Sequence, residues 1–198
     1  MINIAVLVSG GGTNLQALID AQGKVLQHGK IKIVISSKPD VYALQRAENA
    51  GINHCVIAKR DYVTQEEFSN ALLKQLQSNQ IDMIVLAGYL SILDETIIRA
   101  YSNRIINIHP SLIPSFCGKG YYGLKVHEAA LAYGVKVTGA TVHIVNEIPD
   151  GGKILLQKAV DILPSDTAEI LQQRVMEEAE WKLLPQATEM IAKEIEGI

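Results

Sequence analysis

Apolar residues in this chain fall into short unbroken runs separated by longer stretches of helical period. Ile2 to Val8, Ile31 to Ser36 and Met83 to Ala87 are rich in Ile, Val and Leu, the pattern of strands covered on both faces. His54 to Ile57 predicts a short third strand and Arg104 to Ile108 a fifth. Between them lie a helix from Asn14 to Gln27, entered through a glycine turn, and a second that Asp40 caps and Gly51 ends. Thr64 with Glu67 makes a capping box for a helix to about Gln77, and a short helix starts at Asp94. This alternation predicts an α/β fold: a Rossmann-like open, mostly parallel sheet flanked by helices and joined by right-handed crossovers.

Beyond Pro110 the pattern changes. A loop rich in Pro and Gly runs from Ser111 to Gly123, followed by a helix from about Val126 to Tyr133. Val137 to Val145 and Ile154 to Asp161 are β-rich and flank the turn Pro149-Asp150-Gly151-Gly152, which predicts antiparallel strands toward the C-terminal half. Asp166 begins a helical tail that Pro185 interrupts or divides. No repeat, linker or low-complexity stretch breaks the 198 residues, so a single domain, 1–198, is expected.

Composition narrows the class. Hydrophobic residues make up 48% of the chain against 5% aromatic, which suits branched side chains filling a central parallel sheet. A net charge of −3 gives no electrostatic reason to bind nucleic acid, while local basic patches leave room for a phosphorylated metabolite. Cys55 and Cys117 form no disulfide framework. The N-terminus enters its first apolar run without a basic region or cleavage site. A signal peptide or membrane span is therefore not expected, and the chain reads as cytoplasmic.

Gly10, Gly11 and Gly12 follow a strand and precede a helix, where backbone N–H groups and the helix dipole attract an anion. A tight turn needing flexible φ would carry the same glycines. Leu15 stands where a dinucleotide fingerprint needs its third glycine, and Ser36-Ser37-Lys38 replaces the ribose-binding acid. No Gly-Lys-Ser/Thr follows, which excludes a nucleotide P-loop. A phosphate monoester fits better, held by the backbone of Gly12 and Thr13, the Thr13 hydroxyl and the Asn14 amide.

Asn107 and His109 lie two apart at the carboxyl end of the fifth predicted strand, so both point to one side. Open α/β sheets bind ligands outside such strand ends. Asp150 adds a carboxylate on the later glycine-rich turn. An imidazole oriented by a carboxylate, beside an amide donor, is a constellation for proton transfer around a tetrahedral oxyanion. Each member also has an ordinary explanation: a lone histidine more often caps a turn or fills a core, and Asp-Gly is a common turn dipeptide. His109, His127 and His143 lack short ligand spacing and neither cysteine adds a pair, so no metal is expected. Cys117, with no demonstrable base beside it, reads as a passive thiol.

Val8-Ser9-Gly10-Gly11-Gly12-Thr13-Asn14-Leu15-Gln16, Leu86-Ala87-Gly88-Tyr89, Asn107-Ile108-His109-Pro110-Ser111-Leu112-Ile113-Pro114, Gly139-Ala140-Thr141-Val142-His143 and Asp150-Gly151-Gly152 occur in that order. With these motifs the chain resembles the phosphoribosylglycinamide formyltransferase family, within the formyltetrahydrofolate-dependent superfamily, from residue 2 to about 190. The resemblance implies transfer of a formyl group from 10-formyltetrahydrofolate, the co-substrate, to the amine of glycinamide ribonucleotide in purine synthesis. It implies direct attack, without a metal or a covalent enzyme intermediate. Asn107 and His109 would stabilise the oxyanion, His109 would donate a proton, and Asp150 would raise the His109 pKa. Gly12, Thr13 and Asn14 match the phosphate loop, and Glu180 matches an acid that contacts the nucleotide. The folate would lie along Leu90, Ser91, Ile92 and Leu93 and against Asn146, Glu147, Ile148, Pro149 and Asp150, with Gln65 near its tail.

The resemblance further implies a nucleotide-binding half, 1–108, and a catalytic and folate-binding half, 109–198. Its partners are glycinamide ribonucleotide and the reduced folate, with no nucleic acid and no membrane; a homodimer is compatible with the chain. Several positions depart from the family. Ser91 stands where many members carry Arg, Gln65 where a basic residue often holds the folate tail, and Trp181 where His is frequent. The spacing from Arg174 to Glu180 is one residue longer. The loop Cys117 to Lys125 is longer than in several members, and its Lys119, Tyr121, Tyr122 and Lys125 offer alternative contacts. The alternative function is a formyltetrahydrofolate hydrolase, expected to carry an extra N-terminal domain before strand one. A transfer-RNA formyltransferase would add a C-terminal domain and a basic surface, and a silent phosphometabolite-binding protein need not keep all three polar residues.

Overall fold

The apolar runs pair into one seven-stranded sheet in the computed structural model, which describes residues 1–198. The strands are β1 (Ile2–Val8), β2 (Gly29–Ser36), β3 (Asn53–Val56), β4 (Met83–Leu86), β5 (Ile105–His109), β6 (Val137–Ile144) and β7 (Ile154–Asp161). Their order is β3-β2-β1-β4-β5-β6-β7. Pairs from β3 to β5 are parallel, whereas β5–β6 and β6–β7 are antiparallel. The chain leaves β1 toward β2 on one side and returns to β4 on the other. The loops after β1 and β4 therefore diverge, opening the kind of crevice in which α/β sheets bind ligands.

The helices are α1 (Thr13–Ala21), α2 (Tyr42–Asn49), α3 (Gln65–Ser78), α4 (Glu95–Ala100), α5 (Leu124–Tyr133), α6 (Ala168–Val175) and α7 (Trp181–Glu196). Strand alternation sorts the core into two layers. Ile4, Val6 and Val8 of β1 pack with Leu15 and Leu18 of α1, Ala43 and Ala47 of α2, Leu171 of α6 and Leu184 of α7. Ala5 and Leu7 face the opposite layer, with Phe68, Leu72 and Leu76 of α3 and Ile97 of α4. Each fully buried Leu or Phe contributes about 1.5–3 kcal/mol, so these two layers hold the strand ends in place. No helix is long and apolar enough to cross a membrane.

The capping box forms as expected: the Thr64 side chain accepts from the Glu67 N–H, and Glu67 reaches back to the Thr64 N–H. Asp94 caps α4 by accepting from Ile97 N–H. Four helix details differ from the sequence expectation. α1 ends at Ala21, not Gln27, because Gln22 turns to extended geometry and its side chain accepts from Ile31 N–H at 2.9 Å. Asp40 does not cap α2; it is exposed at φ 56°, Val41 occupies the cap position, and Gly10 O accepts the Ala43 N–H at 3.2 Å.

Thr167, not Asp166, caps α6, since Asp166 forms a two-pronged pair with Arg174 at 2.5 and 2.6 Å. Pro185 does not divide the tail. It lies inside α7, withholding one N–H from the Trp181 carbonyl, and the irregularity falls instead at a wide π turn over Met176–Glu180.

Candidate active site

Three strand ends build the site. β1 delivers the glycine turn, β4 the loop Ala87–Leu93, and β5 the pair Asn107 and His109. Ser9 ties the first two together: its Oγ accepts from Leu90 N–H at 2.8 Å and lies 2.6 Å from Ser37 Oγ. Gly12 sits at φ 74°, and a Cβ there would lie 2.7 Å from that of Ala43, so both conformation and space demand glycine. The N–H groups of Gly10, Gly11 and Gly12 donate to no backbone carbonyl.

Thr13 and Asn14 open α1 and meet the π turn from the far end of the chain. Thr13 Oγ1 contacts Met176 Sδ at 3.6 Å, and Asn14 Nδ2 donates to Glu180 Oε2 at 2.6 Å. Glu180 is buried, and burial pushes its carboxyl up to about 7 against the opposing pull of the Asn14 hydrogen bond. Glu180 is the last residue of that π turn, whose winding holds one residue more than an α turn. The Met176 contact was not anticipated, because nothing in its type marks it as a partner for Thr13.

Asn107 and His109 do point to one side, while Ile106 and Ile108 enter the core on the other. Asp150 reaches them from the turn after β6, in a left-handed conformation at φ 56° that Asp tolerates. Its Oδ1 lies 3.4 Å from Asn107 Nδ2, and its Oδ2 lies 3.6 Å from His109 Nδ1. Gly118 N–H donates to the same Oδ2 at 2.8 Å. The other His109 nitrogen, Nε2, donates to Phe116 O at 2.9 Å, so the neutral ring keeps its lone pair on Nδ1, facing the carboxylate.

Burial pushes Asp150 up, but His143, His109 and the Gly118 N–H outweigh it and hold the carboxyl below the usual range. At His109 the effect of Asp150 has the expected sign but does not set the net direction. Asp150 does favour its charged form, as does Phe116 O, yet burial is the larger effect and the net shift is downward.

His143 is a fourth member, which the sequence offered in a family motif and as a metal ligand but not as part of the site. It pairs with Asn107 across the β5–β6 ladder, so both side chains share a face. Its Nδ1 donates to Ile144 O at 2.9 Å, its Nε2 accepts from Asn107 Nδ2 at 3.2 Å, and Asp150 Oδ1 lies 3.5 Å away. The register between strands is the signal that would have found it. Thr141 pairs with His109 in the same ladder and donates to Ser111 O at 2.6 Å, pinning the start of the loop that carries Phe116 and Gly118. Cys117 in that loop donates to Pro114 O at 3.3 Å, and burial with the Asp150 charge pushes its thiol up, away from nucleophilic ionisation. No group of three His, Cys, Asp or Glu side chains has metal-holding geometry.

A cavity of about 140 Å³ opens beside the cluster. Asn107, His143 and Asp150 form one wall, and Ser91, Ile92, Leu93 and the stretch 146–149 form the rest. Asn146 Oδ1 accepts from Ile148 N–H at 3.0 Å, which shapes that stretch. Gly152 lets it close, since a Cβ there would lie 1.7 Å from Ile144 O. Two of the expected folate residues lie outside this lining, Leu90, which is half exposed, and Gln65, whose amide donates to Ser69 Oγ at 3.3 Å; the His109 ring lies outside it too. A larger cavity, about 490 Å³, lies between α1 and α7 but contains none of the polar cluster, so chemistry rather than size picks the smaller one.

A family profile described as formyl transferase matches residues 2–188. The chain is 43% identical over 190 residues to the trifunctional purine biosynthetic protein adenosine-3 of Drosophila melanogaster, covering 95% of this chain and 14% of that protein. It thus spans a small part of that relative's length. It is 42% identical over 185 residues to phosphoribosylglycinamide formyltransferase of Haemophilus influenzae, covering 93% of this chain and 84% of that one. The fold superposes on the crystal structure of glycinamide ribonucleotide transformylase 1 from Symbiobacterium toebii with a TM-score of 0.91 at 41% identity, covering 98% of this chain and 89% of that one.

Proposed function

The chain belongs to the formyl transferase family, and from that premise we propose that it transfers the formyl group of 10-formyltetrahydrofolate to the amine of glycinamide ribonucleotide. The observation that carries the reading is the convergence of Asn107, His143 and Asp150 on the wall of one cavity, with His109 Nδ1 3.6 Å from Asp150 Oδ2 and the glycine turn two strands away. Adjacent strands lie about 4.8 Å apart, so a phosphate at the turn and a reacting amine at β5 are separated by roughly 10 Å, the scale of a ribonucleotide.

In this reading the folate occupies the cavity walled by Ser91, Ile92, Leu93 and the 146–149 stretch. The nucleotide phosphate rests on Gly12, Thr13 and Asn14, with Glu180 behind Asn14. The amine nitrogen attacks the formyl carbon and a tetrahedral oxyanion forms. Asn107 Nδ2 supplies a donor to that oxygen by giving up its long contact to Asp150 Oδ1, 3.4 Å away, while its other N–H stays with His143. The amine loses a proton as it bonds, and His109 Nδ1 is the available base. Phe116 O holds the opposite ring N–H, and burial keeps the resting imidazole neutral. Asp150 then stabilises the imidazolium until its proton passes to the leaving folate nitrogen. The transfer balances: one N–H proton leaves the amine and one reaches the folate.

The test follows deformylation of 10-formyltetrahydrofolate spectrophotometrically with and without the nucleotide, in the native chain and in Asp150→Asn. Nucleotide-dependent turnover is expected, falling by about 10²-fold or more in the variant while nucleotide binding stays nearly intact. Equal turnover without nucleotide would make the chain a hydrolase, and full turnover in Asp150→Asn would remove the assigned role.

A further inference from the structure

We propose that Arg46 is a positioning residue for the nucleotide, setting which way the peptide groups of the glycine turn face; the inference rests on reading that turn as the phosphate site. Arg46 lies on α2, outside every motif that the resemblance supplied. Its Nε donates to Gly11 O at 2.9 Å and its Nη1 to Gln16 Oε1 at 3.0 Å. The guanidinium also stacks 4.8 Å from the centre of the Tyr42 ring, which fixes its plane. One residue earlier in the turn, Gly10 O accepts the Ala43 N–H at 3.2 Å. Two successive carbonyls of the turn are therefore bound by α2.

A trans peptide points its N–H opposite to its carbonyl. Drawing the Gly10 and Gly11 carbonyls toward α2 turns the N–H groups of Gly11 and Gly12 away from it. Neither N–H donates to a backbone carbonyl, so both remain available to an anion. Three consecutive glycines do not enforce this arrangement by themselves, because glycine adopts positive and negative φ with similar ease. A flip of the Gly11–Gly12 peptide would present a carbonyl oxygen to the phosphate in place of a donor. The backbone bond from Ala43 guards the first peptide, and only a side chain guards the second. A residue that merely joined α2 to α1 would need the Gln16 bond and not the carbonyl.

Steady-state kinetics of the full chain, with both substrates varied, test the assignment. Arg46→Ala should raise KM for the nucleotide about ten-fold or more, the scale of a lost charged hydrogen bond, with kcat within about two-fold and folate KM unchanged. The inhibition constant of inorganic phosphate should rise in parallel. Added guanidinium ion should restore part of the loss, and Arg46→Lys, with a single donor nitrogen, should fall between. Thr13→Glu serves as the control, since a carboxylate at the turn must repel phosphate if phosphate binds there. Weakening by Thr13→Glu with unchanged nucleotide KM in Arg46→Ala would overturn the Arg46 role alone. Unchanged nucleotide KM in both would overturn the phosphate reading of the turn as well. Loss of kcat and folate affinity together in Arg46→Ala, without guanidinium rescue, would make Arg46 a general structural residue and end the proposal.

Discussion

Replacing Glu180 by Gln should raise stability at pH 8 far more than at pH 5. Glu180 is buried behind Asn14, and burial moves its carboxyl from an ordinary 4.5 to about 7. Between those two values the folded chain holds a proton that the unfolded chain has released. Stability therefore falls as pH rises through this window and levels off above about 7. At 1.36 kcal/mol per unit, the penalty grows by about 2 to 3 kcal/mol between pH 5 and pH 8. Gln has the same shape, cannot ionise, and still offers an oxygen to the Asn14 N–H that now donates at 2.6 Å. Urea unfolding of both proteins at several values from pH 5 to pH 8 would read the difference directly. Titrations elsewhere occur in both chains and cancel. Stability curves that stay parallel across the range, or a variant less stable at pH 8, would refute the reasoning.

Two further substitutions probe the fold around the site. His127 of α5 is buried with neither ring nitrogen hydrogen-bonded, and burial, then the nearby His109, pushes it down to about 4. Its contribution is whole above 6.5 and is lost as pH falls from 6.5 toward 4, so His127→Leu should shift the acid-unfolding midpoint to lower pH; an unmoved midpoint would place the acid sensitivity elsewhere. Gly152→Ala would set a methyl 1.7 Å from Ile144 O, so the melting temperature should drop by the equivalent of about 2 kcal/mol or more. Because Asp150 sits two residues away, turnover should fall further than nucleotide affinity, and a wild-type melting curve would show that the loop relaxes freely.

Much of the frame is legible in the order of residues alone. Runs of Ile, Val and Leu marked the strands, since burial on both faces leaves no polar alternation. Thr64 and Glu67 marked a helix start because a capping box is satisfied within four residues. Asn107 and His109 had to share a side, as any residues two apart on a strand do. Asp40 and Asp166 misled for the same local reason: each is a good capping residue, yet one is held at positive φ and the other is claimed by Arg174.

Strand and helix periods, caps, the glycine turn and the residue types available for chemistry are each decided by a few neighbouring residues and can be read along the chain. Tertiary structure alone decided which of them meet. It brought Asp150 to His109, paired His143 with Asn107 through the β5–β6 register, and joined Asn14 to Glu180 from opposite ends of the chain. It also set the net direction of the shift at His109, because an opposing charge can be guessed from a motif while desolvation depends on everything packed around the ring. Local preferences act over a turn of helix or a pair of strand residues; register, burial and loop closure are settled only when distant segments compete for the same space.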